Sequence, residues 1–221
     1  MKKLVLESIR GTLVVVSPHD DDGVIGTGGL IYNLSQRKIK TYVLIMTDGS
    51  LGYSKIEQKN NIRQIRREEA KNAYKMLGAT PYFLDYPDMN LTEFKCWEKT
   101  NGKEGAYQKT LRMLRSLRPE TVLLPNSSDW HPDHRAAFDI GYSIANLASI
   151  SAVIDFGEPI KLRQIASYKV WDELNKVTHY FELSEETQKV KEEALLKFKS
   201  QADILKSVMI EFKKEYFEFL K

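Results

Sequence analysis

Two short runs in this 221-residue sequence collect side chains able to hold a metal ion and move protons: His19-Asp20-Asp21-Asp22 and His131-Pro132-Asp133-His134. Each follows an apolar run, Leu13 to Val16 and Val122 to Leu124, and together they hold three of the four histidines. Adjacent carboxylates repel one another unless a cation or solvent satisfies them, so three in a row demand more explanation than a turn does. His19 and Asp22, three apart, combine with His134 into two imidazoles and one carboxylate, a common facial set for a catalytic zinc that keeps a position open for water. Such a metal lowers the pKa of water toward about 7 and supplies hydroxide at neutral pH. Asp21, beside a ligand but directed elsewhere, is suited to take a proton as general base. His131 is suited to face the substrate, with Asp133 accepting a hydrogen bond from its ring and fixing its tautomer. His179 stands in an alternating strand pattern and reads as structural.

The elements that would bring these runs together alternate in type. Thr12 to Ser17, Thr41 to Met46, Pro81 to Leu84 and Thr121 to Leu124 read as strands, with Leu4 to Ile9 a short strand or lead-in. Gly26, Gly28 and Gly29 open a helix that packs closely on the sheet, since glycine has no Cβ to hold it off. Ile56 to Leu77 carries apolar residues at spacings of three and four and stops at Gly78. Tyr107 to Leu117 and Arg135 to Ala148 are further helices, and residues 89–103 read as an irregular excursion over the site. Strand and helix in alternation predict an α/β fold, Rossmann-like, with a mostly parallel sheet flanked by helices and ligands at the carboxyl ends of its strands. Beyond it, Ile165 to Trp171 and His179 to Leu183 read as strands. Glu185 to Lys199 and Asp203 to Leu220 read as helices, the last presenting Ile204, Val208, Phe212, Phe219 and Leu220. The whole is expected to form one domain, 1–221.

Composition narrows the function classes. Hydrophobic residues at 42% and charged residues at 29% belong to an ordinary globular protein, and a net charge of +3 spread among interleaved Glu, Lys and Arg gives no footprint for nucleic acid. Cys96 is the single cysteine, which excludes an intramolecular disulfide or a Cys-based zinc cluster and suits a cytoplasmic location. No run is long and apolar enough for a membrane span or a signal peptide. A homo-oligomer is compatible with the sequence.

With Pro18-His19-Asp20-Asp21-Asp22, Arg66-Arg67-Glu68-Glu69 before Leu77-Gly78, and His131-Pro132-Asp133-His134 in this order, the sequence resembles the PIG-L/LmbE-like zinc-dependent de-N-acetylases. Tyr168 to Trp171 and Ser200-Gln201 add a weaker match, so the likeness runs from about Leu13 to Gln201. It implies a Rossmann-like fold and hydrolysis of an acetamido group, usually on an N-acetylglucosamine-type sugar or conjugate, to a free amine and acetate. By position it implies His19, Asp22 and His134 as ligands of one zinc ion and Asp21 as base. His131 would stabilise the oxyanion or protonate the leaving amine, with Asp133 orienting it. It also puts Arg66 near the substrate, whereas the residues alone allow Arg66 a plain helix-surface pair with Glu69. Two positions depart from the pattern. Asp20 stands where proline is common and adds charge beside the metal, and Gly23 stands where glutamate is common.

Other readings of the same residues exist. Asp20-Asp21-Asp22-Gly23-Val24 after a strand also fits a haloacid-dehalogenase-type magnesium phosphatase with Asp20 as nucleophile, although the distal histidines then have no role. A dinucleotide-binding turn fails on spacing, and three carboxylates would repel a pyrophosphate. A metal-binding protein without catalysis remains a third alternative. Trp97 and Trp130 are candidates to stack on a sugar ring, against the commoner role of aromatics in cores.

Overall fold

The computed structural model describes residues 1–206 and 213–221. Among them eight strands form one sheet: β1 (Lys2–Lys3), β2 (Leu13–Ser17), β3 (Thr41–Thr47), β4 (Ala79–Tyr86), β5 (Thr121–Pro125), β6 (Gln164–Tyr168), β7 (His179–Glu182) and β8 (Lys214–Phe219). Their order is β1-β7-β8-β6-β5-β2-β3-β4. Only β8 runs antiparallel to its neighbours, β6 and β7. The helices are α1 (Asp22–Gln36), α2 (Ile62–Leu77), α3 (Ala106–Leu117), α4 (Pro132–Ala148), α5 (Glu185–Leu195) and the single turn α6 (Ala202–Leu205).

The central strand shows why its sequence reads as a continuous apolar run. Both faces of β2 are covered, as parallel sheets require. Leu13 and Val15 join a core built with α1, α2 and α5, while Val14 and Val16 join a second core built with α3 and α4. On its two sides β2 pairs with β3 and with β5, so the direction of chain progression switches there, and the crevice at the strand ends is where open α/β sheets take ligands. Both histidine runs emerge at this switch.

The first helix meets the sheet without clearance. A Cβ on Gly26 would lie 2.2 Å from Tyr168 Cδ2 and 2.7 Å from the Lys169 carbonyl oxygen. The helix is also tied from behind by a buried ion pair. Lys191 Nζ and Glu215 Oε1 are 2.7 Å apart, with each side chain about 1% exposed. Glu215 accepts from the backbone N–H groups of Gly29 (2.7 Å) and Leu30 (2.9 Å), and Lys191 donates to the Ile25 carbonyl at 2.6 Å. These amide groups lie in the body of α1, so α5 and β8 grip the helix whose first residue is Asp22.

Several boundaries differ from the expected ones. Leu4 to Ile9 is a lead-in containing one 3-10 turn, and the N-terminal strand is Lys2–Lys3. The second helix begins at Ile62, after a separate 3-10 turn at Ile56–Gln58. Residues 89–103 are irregular except for a 3-10 turn at Leu91–Phe94, and Trp97 packs on Phe156 in the second core. The expected helix Asp203 to Leu220 is the largest correction: α6 covers Ala202–Leu205, and Lys214–Phe219 is a strand. Val208 and Phe212 of its expected apolar face lie outside the described residues. The strand alternates, with Glu215 and Phe217 buried, but its inward Glu215 disguises the period by filling a core position with a charge.

Removing one partner of a buried pair leaves a charge without compensation, which typically costs about 3–5 kcal/mol. Lys191→Ala should therefore lower the unfolding free energy by about that amount in a denaturant titration. Lys71→Ala, which breaks the exposed pair with Glu68, should change it by less than about 1 kcal/mol.

Candidate metal centre

The first run leaves β2 and turns into α1, so His19, Asp20 and Asp21 occupy the connection and Asp22 is the first helical residue. The second run leaves the β5 connection at the start of α4. His131 caps that helix: its Nδ1 accepts the Asp133 backbone N–H at 3.2 Å, and Pro132 takes the first helical position, where a missing N–H costs nothing. The helix therefore begins three residues before Arg135, the expected start.

Three donor atoms converge between the runs. His19 Nδ1 is 3.0 Å from Asp22 Oδ2, His134 Nε2 is 3.2 Å from the same oxygen, and the two ring nitrogens are 3.3 Å apart. Ligands at about 2.1 Å from one tetrahedral zinc stand about 3.4 Å from each other, so the triangle suits a single ion. The opposite ring nitrogens face carboxylates. His19 Nε2 lies 3.2 Å from Asp88 Oδ1 and 3.5 Å from Asp133 Oδ2. His134 Nδ1 lies 3.1 Å from Asp129 Oδ2, a close approach in which neither buried atom completes a hydrogen bond among the described residues. His19 also belongs to two other sets able to hold a metal ion, one with His131 and His134 and one with Asp88 and Asp133.

The electrostatics follow from burial among carboxylates. Burial opposes charge on His19, yet Asp133, Asp22 and Asp88 raise its pKa well above the ordinary value. Burial likewise opposes charge on His134, but Asp22 and Asp129 lift it to about 9. Asp22 is held well below the usual carboxylate range against its burial, through His134 and His19. Asp21 is pushed up to about 7, first by burial and then by Asp20 and Asp22, with Arg66 and His19 pulling the other way. His131 is lowered to about 4 by burial and by its two histidine neighbours.

Two expected contacts are absent. The Asp133 carboxylate does not bond the His131 ring; it accepts the backbone N–H groups of Met89 (2.7 Å) and Leu91 (2.9 Å). The tautomer of His131 is fixed instead by the Asp133 backbone, which donates to Nδ1 and leaves the proton on Nε2. Nor does Arg66 pair with Glu69, whose carboxylate accepts the Ser200 N–H and hydroxyl. Arg66 is 4% exposed and grips Asp20 through Nε at 2.8 and 3.0 Å and through Nη2, with Nη2 3.6 Å from Asp21. The extra charge of Asp20 thus has a partner. Two members of the cluster, Asp88 and Asp129, gain no role from the sequence: Asp88 sits in a turn signature after a strand, and only its spacing from His131 marks Asp129.

A cavity of about 310 Å³ opens over this centre, lined by His19, Asp21, Asp22, Arg66, Asp88 and His131 at its base and by apolar side chains higher up. Trp130, in edge contact with His131 at 5.2 Å between ring centres, belongs to its wall.

The sequence profile of the PIG-L family, described as GlcNAc-PI de-N-acetylase, matches residues 14–145, more than half of the chain, and takes in both runs. Diacetylchitobiose deacetylase of Thermococcus kodakarensis is 31% identical over 143 residues, 62% of this chain and 50% of that protein. The chain thus spans about half the length of this relative. Among solved structures, N,N'-diacetylchitobiose deacetylase from Pyrococcus horikoshii superposes with a TM-score of 0.79 at 22% identity, covering 95% of this chain and 83% of the other. GalB, the 4-carboxy-2-hydroxymuconate hydratase from Pseudomonas putida KT2440, gives 0.73 at 18% identity, covering 96% and 97%. At such identities the likeness concerns the fold alone, and the hydratase illustrates that the scaffold is not tied to one reaction. The family match over residues 14–145, by contrast, runs through the residues of the centre itself, and by it this chain belongs to the PIG-L family of de-N-acetylases.

Proposed function

We propose that this chain hydrolyses the acetamido group of an N-acetylglucosamine-type sugar or conjugate, giving a free amine and acetate, with one zinc ion held by His19, Asp22 and His134. The observation that carries this reading is the ligand triangle together with its outer shell. Metal-binding histidines characteristically donate their second ring N–H to a carboxylate or carbonyl, and here His19 faces Asp88 and His134 faces Asp129. The two rings placed to meet this condition, each with its second nitrogen within 3.2 Å of a carboxylate oxygen, are the two in the triangle. His131 does not meet it, because its Nδ1 accepts a hydrogen bond from backbone.

When bound, the metal supplies Lewis acidity and a water acidic enough to ionise near neutral pH. Asp21 takes the proton of the attacking water. Its carboxyl, pushed up to about 7, has the basicity that proton transfer at neutral pH calls for, and Arg66 at 3.6 Å steadies its charged form. His131 presents Nε2–H to the acetamido oxygen as that oxygen gains negative charge. With its pKa lowered to about 4 the ring is neutral at pH 7, so it serves as a hydrogen-bond donor. The proton collected by Asp21 passes to the nitrogen as the C–N bond breaks. Asp133 acts as a positioning residue, since its carboxylate holds Met89 and Leu91 and its backbone sets the His131 tautomer.

The phosphatase alternative loses its nucleophile, because both Asp20 oxygens are taken up by Arg66. A non-catalytic metal-binding protein is separated from the enzyme by experiment.

Purified protein should carry about one equivalent of zinc by elemental analysis and release acetate from N-acetylglucosamine-type substrates. His134→Ala should lose the metal. His131→Ala should keep it and lose about a hundredfold or more in rate; metal loss with His131 rather than with Asp22 would replace the proposed triangle by His19, His131 and His134. Asp21→Asn should keep the metal and lose about 10²–10⁴-fold in turnover. Unchanged turnover in that variant would remove Asp21 as base, and bound zinc with no acetate release in the unaltered protein would leave a metal-binding protein.

The base must be ionised to act, so the pH profile has a definite sign. The ratio kcat/KM should fall as pH drops through an apparent pKa at or below about 7, because a bound cation pulls Asp21 downward from its raised value. Below that pKa the loss should approach tenfold per pH unit.

A further inference from the structure

The cavity is chemically two-sided. At its base stand the metal centre, Asp21 and Arg66; its upper wall is made of Leu51, Met89, Trp130, Trp171 and Ile204. Four of these are among the most exposed large hydrophobic side chains of the described residues: Leu51 at 55%, Met89 at 50%, Trp130 at 61% and Ile204 at 44%. Scattered exposed apolar residues need no explanation, but a cluster around one concave site marks a binding surface.

The wall is held in place by polar contacts. Met89 has φ +62, a conformation costly for a residue that carries a Cβ, and its N–H is fixed on Asp133 Oδ2 at 2.7 Å. Leu51 donates its N–H to Asp88 Oδ2 at 3.0 Å, so both loops are anchored on carboxylates that also approach His19. The amide nitrogen of Gln201, another lining residue, is already engaged. Gln201 Nε2 donates to the Gly52 carbonyl at 2.6 Å and to Ser200 Oγ at 3.1 Å. Arg66 is the one Lys or Arg among the described lining residues, and Asp20 cancels its charge.

We propose that this wall is a subsite for an uncharged, apolar aglycone on the acetamido sugar, and that the Asp20–Arg66 pair makes the site discriminate against substrates bearing a phosphate or carboxylate there. The inference rests on the deacetylase reading and specifies its substrate class. A phosphate would meet apolar side chains, and the one Lys or Arg of the described lining is already neutralised. An alkyl or aryl group would be removed from water against Trp130, Met89 and Leu51, the transfer that drives apolar binding. Each additional contact of methylene size in such a pocket is worth about tenfold or more in selectivity.

The test uses the full chain with its metal and three probes: N-acetylglucosamine, N-acetylglucosamine 1-phosphate, and hexyl N-acetyl-β-glucosaminide. Acetate release gives kcat/KM for each, and tryptophan fluorescence titration of the Asp21→Asn protein gives Kd for each. The hexyl glycoside should exceed the free sugar at least about tenfold in kcat/KM and in affinity, with the 1-phosphate weakest. Trp130→Ala should bring the hexyl-to-free ratio down toward one. Asp20→Asn should raise the 1-phosphate relative to the free sugar by exposing the charge of Arg66. Acetate release with the 1-phosphate equal to or better than the hexyl glycoside overturns the subsite and leaves the deacetylase standing. A ratio unmoved by Trp130→Ala overturns it as well. If no probe releases acetate, the deacetylase reading falls and the titration decides: hexyl preference sensitive to Trp130→Ala supports the apolar subsite, and equal affinities overturn it.

Discussion

Six carboxylates buried within one crevice impose the constraint on which this structure depends. Asp20, Asp21, Asp22, Asp88, Asp129 and Asp133 are each 8% exposed or less. Carboxylates gathered out of water must be protonated, paired or given a cation. The chain answers by distributing compensation. Arg66 takes Asp20, His134 takes Asp129 and part of Asp22, backbone N–H groups take Asp133, and His19 stands among Asp22, Asp88 and Asp133. The amino ends of α1 and α4, which open at Asp22 and Pro132, turn the positive ends of their dipoles toward the same place. Across the six carboxylates negative charge remains in excess, and a divalent ion at the proposed triangle of His19, Asp22 and His134 has the right sign to offset it.

That constraint reaches into the packing behind the site. Proposed ligands that stand about 3 Å apart need rigid supports, and each run is placed by a strand and a helix end. The first helix is pressed onto Tyr168 through Gly26 and gripped from behind by Lys191 and Glu215. A buried ion pair is a poor source of stability compared with apolar side chains of the same volume, but it fixes one geometry where apolar packing would tolerate several. Here it bonds directly to amides of α1, seven and eight residues beyond Asp22. The same economy appears at Asp133, whose side chain sets the cavity wall while its N–H sets His131.

Much of this was legible in the residues, and what was not has physical reasons. Strand runs such as Leu13 to Val16 announce themselves because burial on both faces leaves no polar positions, and histidines beside carboxylates announce metal chemistry because those residue types have few other reasons to adjoin. The expected helix at Asp203 to Leu220 misled because Glu215, a charge at an inward position, erases the alternation of β8. The Asp133–His131 hydrogen bond misled because residues two apart at a helix start contact each other through backbone, whereas the carboxylate projects to a loop more than forty residues away in sequence. Asp88 and Asp129 reach the histidines through loop geometry, of which the sequence gives no sign for Asp88 and only the spacing from His131 for Asp129. For Arg66 the residues alone allowed a surface pair with Glu69 while the family likeness implied a place near the substrate; only the fold brings Asp20 beneath it.

The two departures from the family pattern find different accommodations, and the difference bears on what this chain has become. Asp20 adds a charge and acquires Arg66, which turns a potential anion-binding group into a neutral pair. Gly23 removes a side chain, and the space is filled: a Cβ there would stand 2.6 Å from the Tyr74 hydroxyl and 3.3 Å from Ser17 Oγ, while the Gly23 N–H donates to that same Ser17 oxygen at 2.9 Å. A glutamate at 23 would have to displace Tyr74, which is fully buried in the core beneath α1. One departure therefore changes the electrostatics of the cavity, and the other is absorbed by core packing beside the metal centre. Since neither replaces a proposed ligand, the proposed base or His131, the proposed reaction can be held constant while the polarity of the surrounding pocket changes, which is how one scaffold comes to serve substrates of different chemistry.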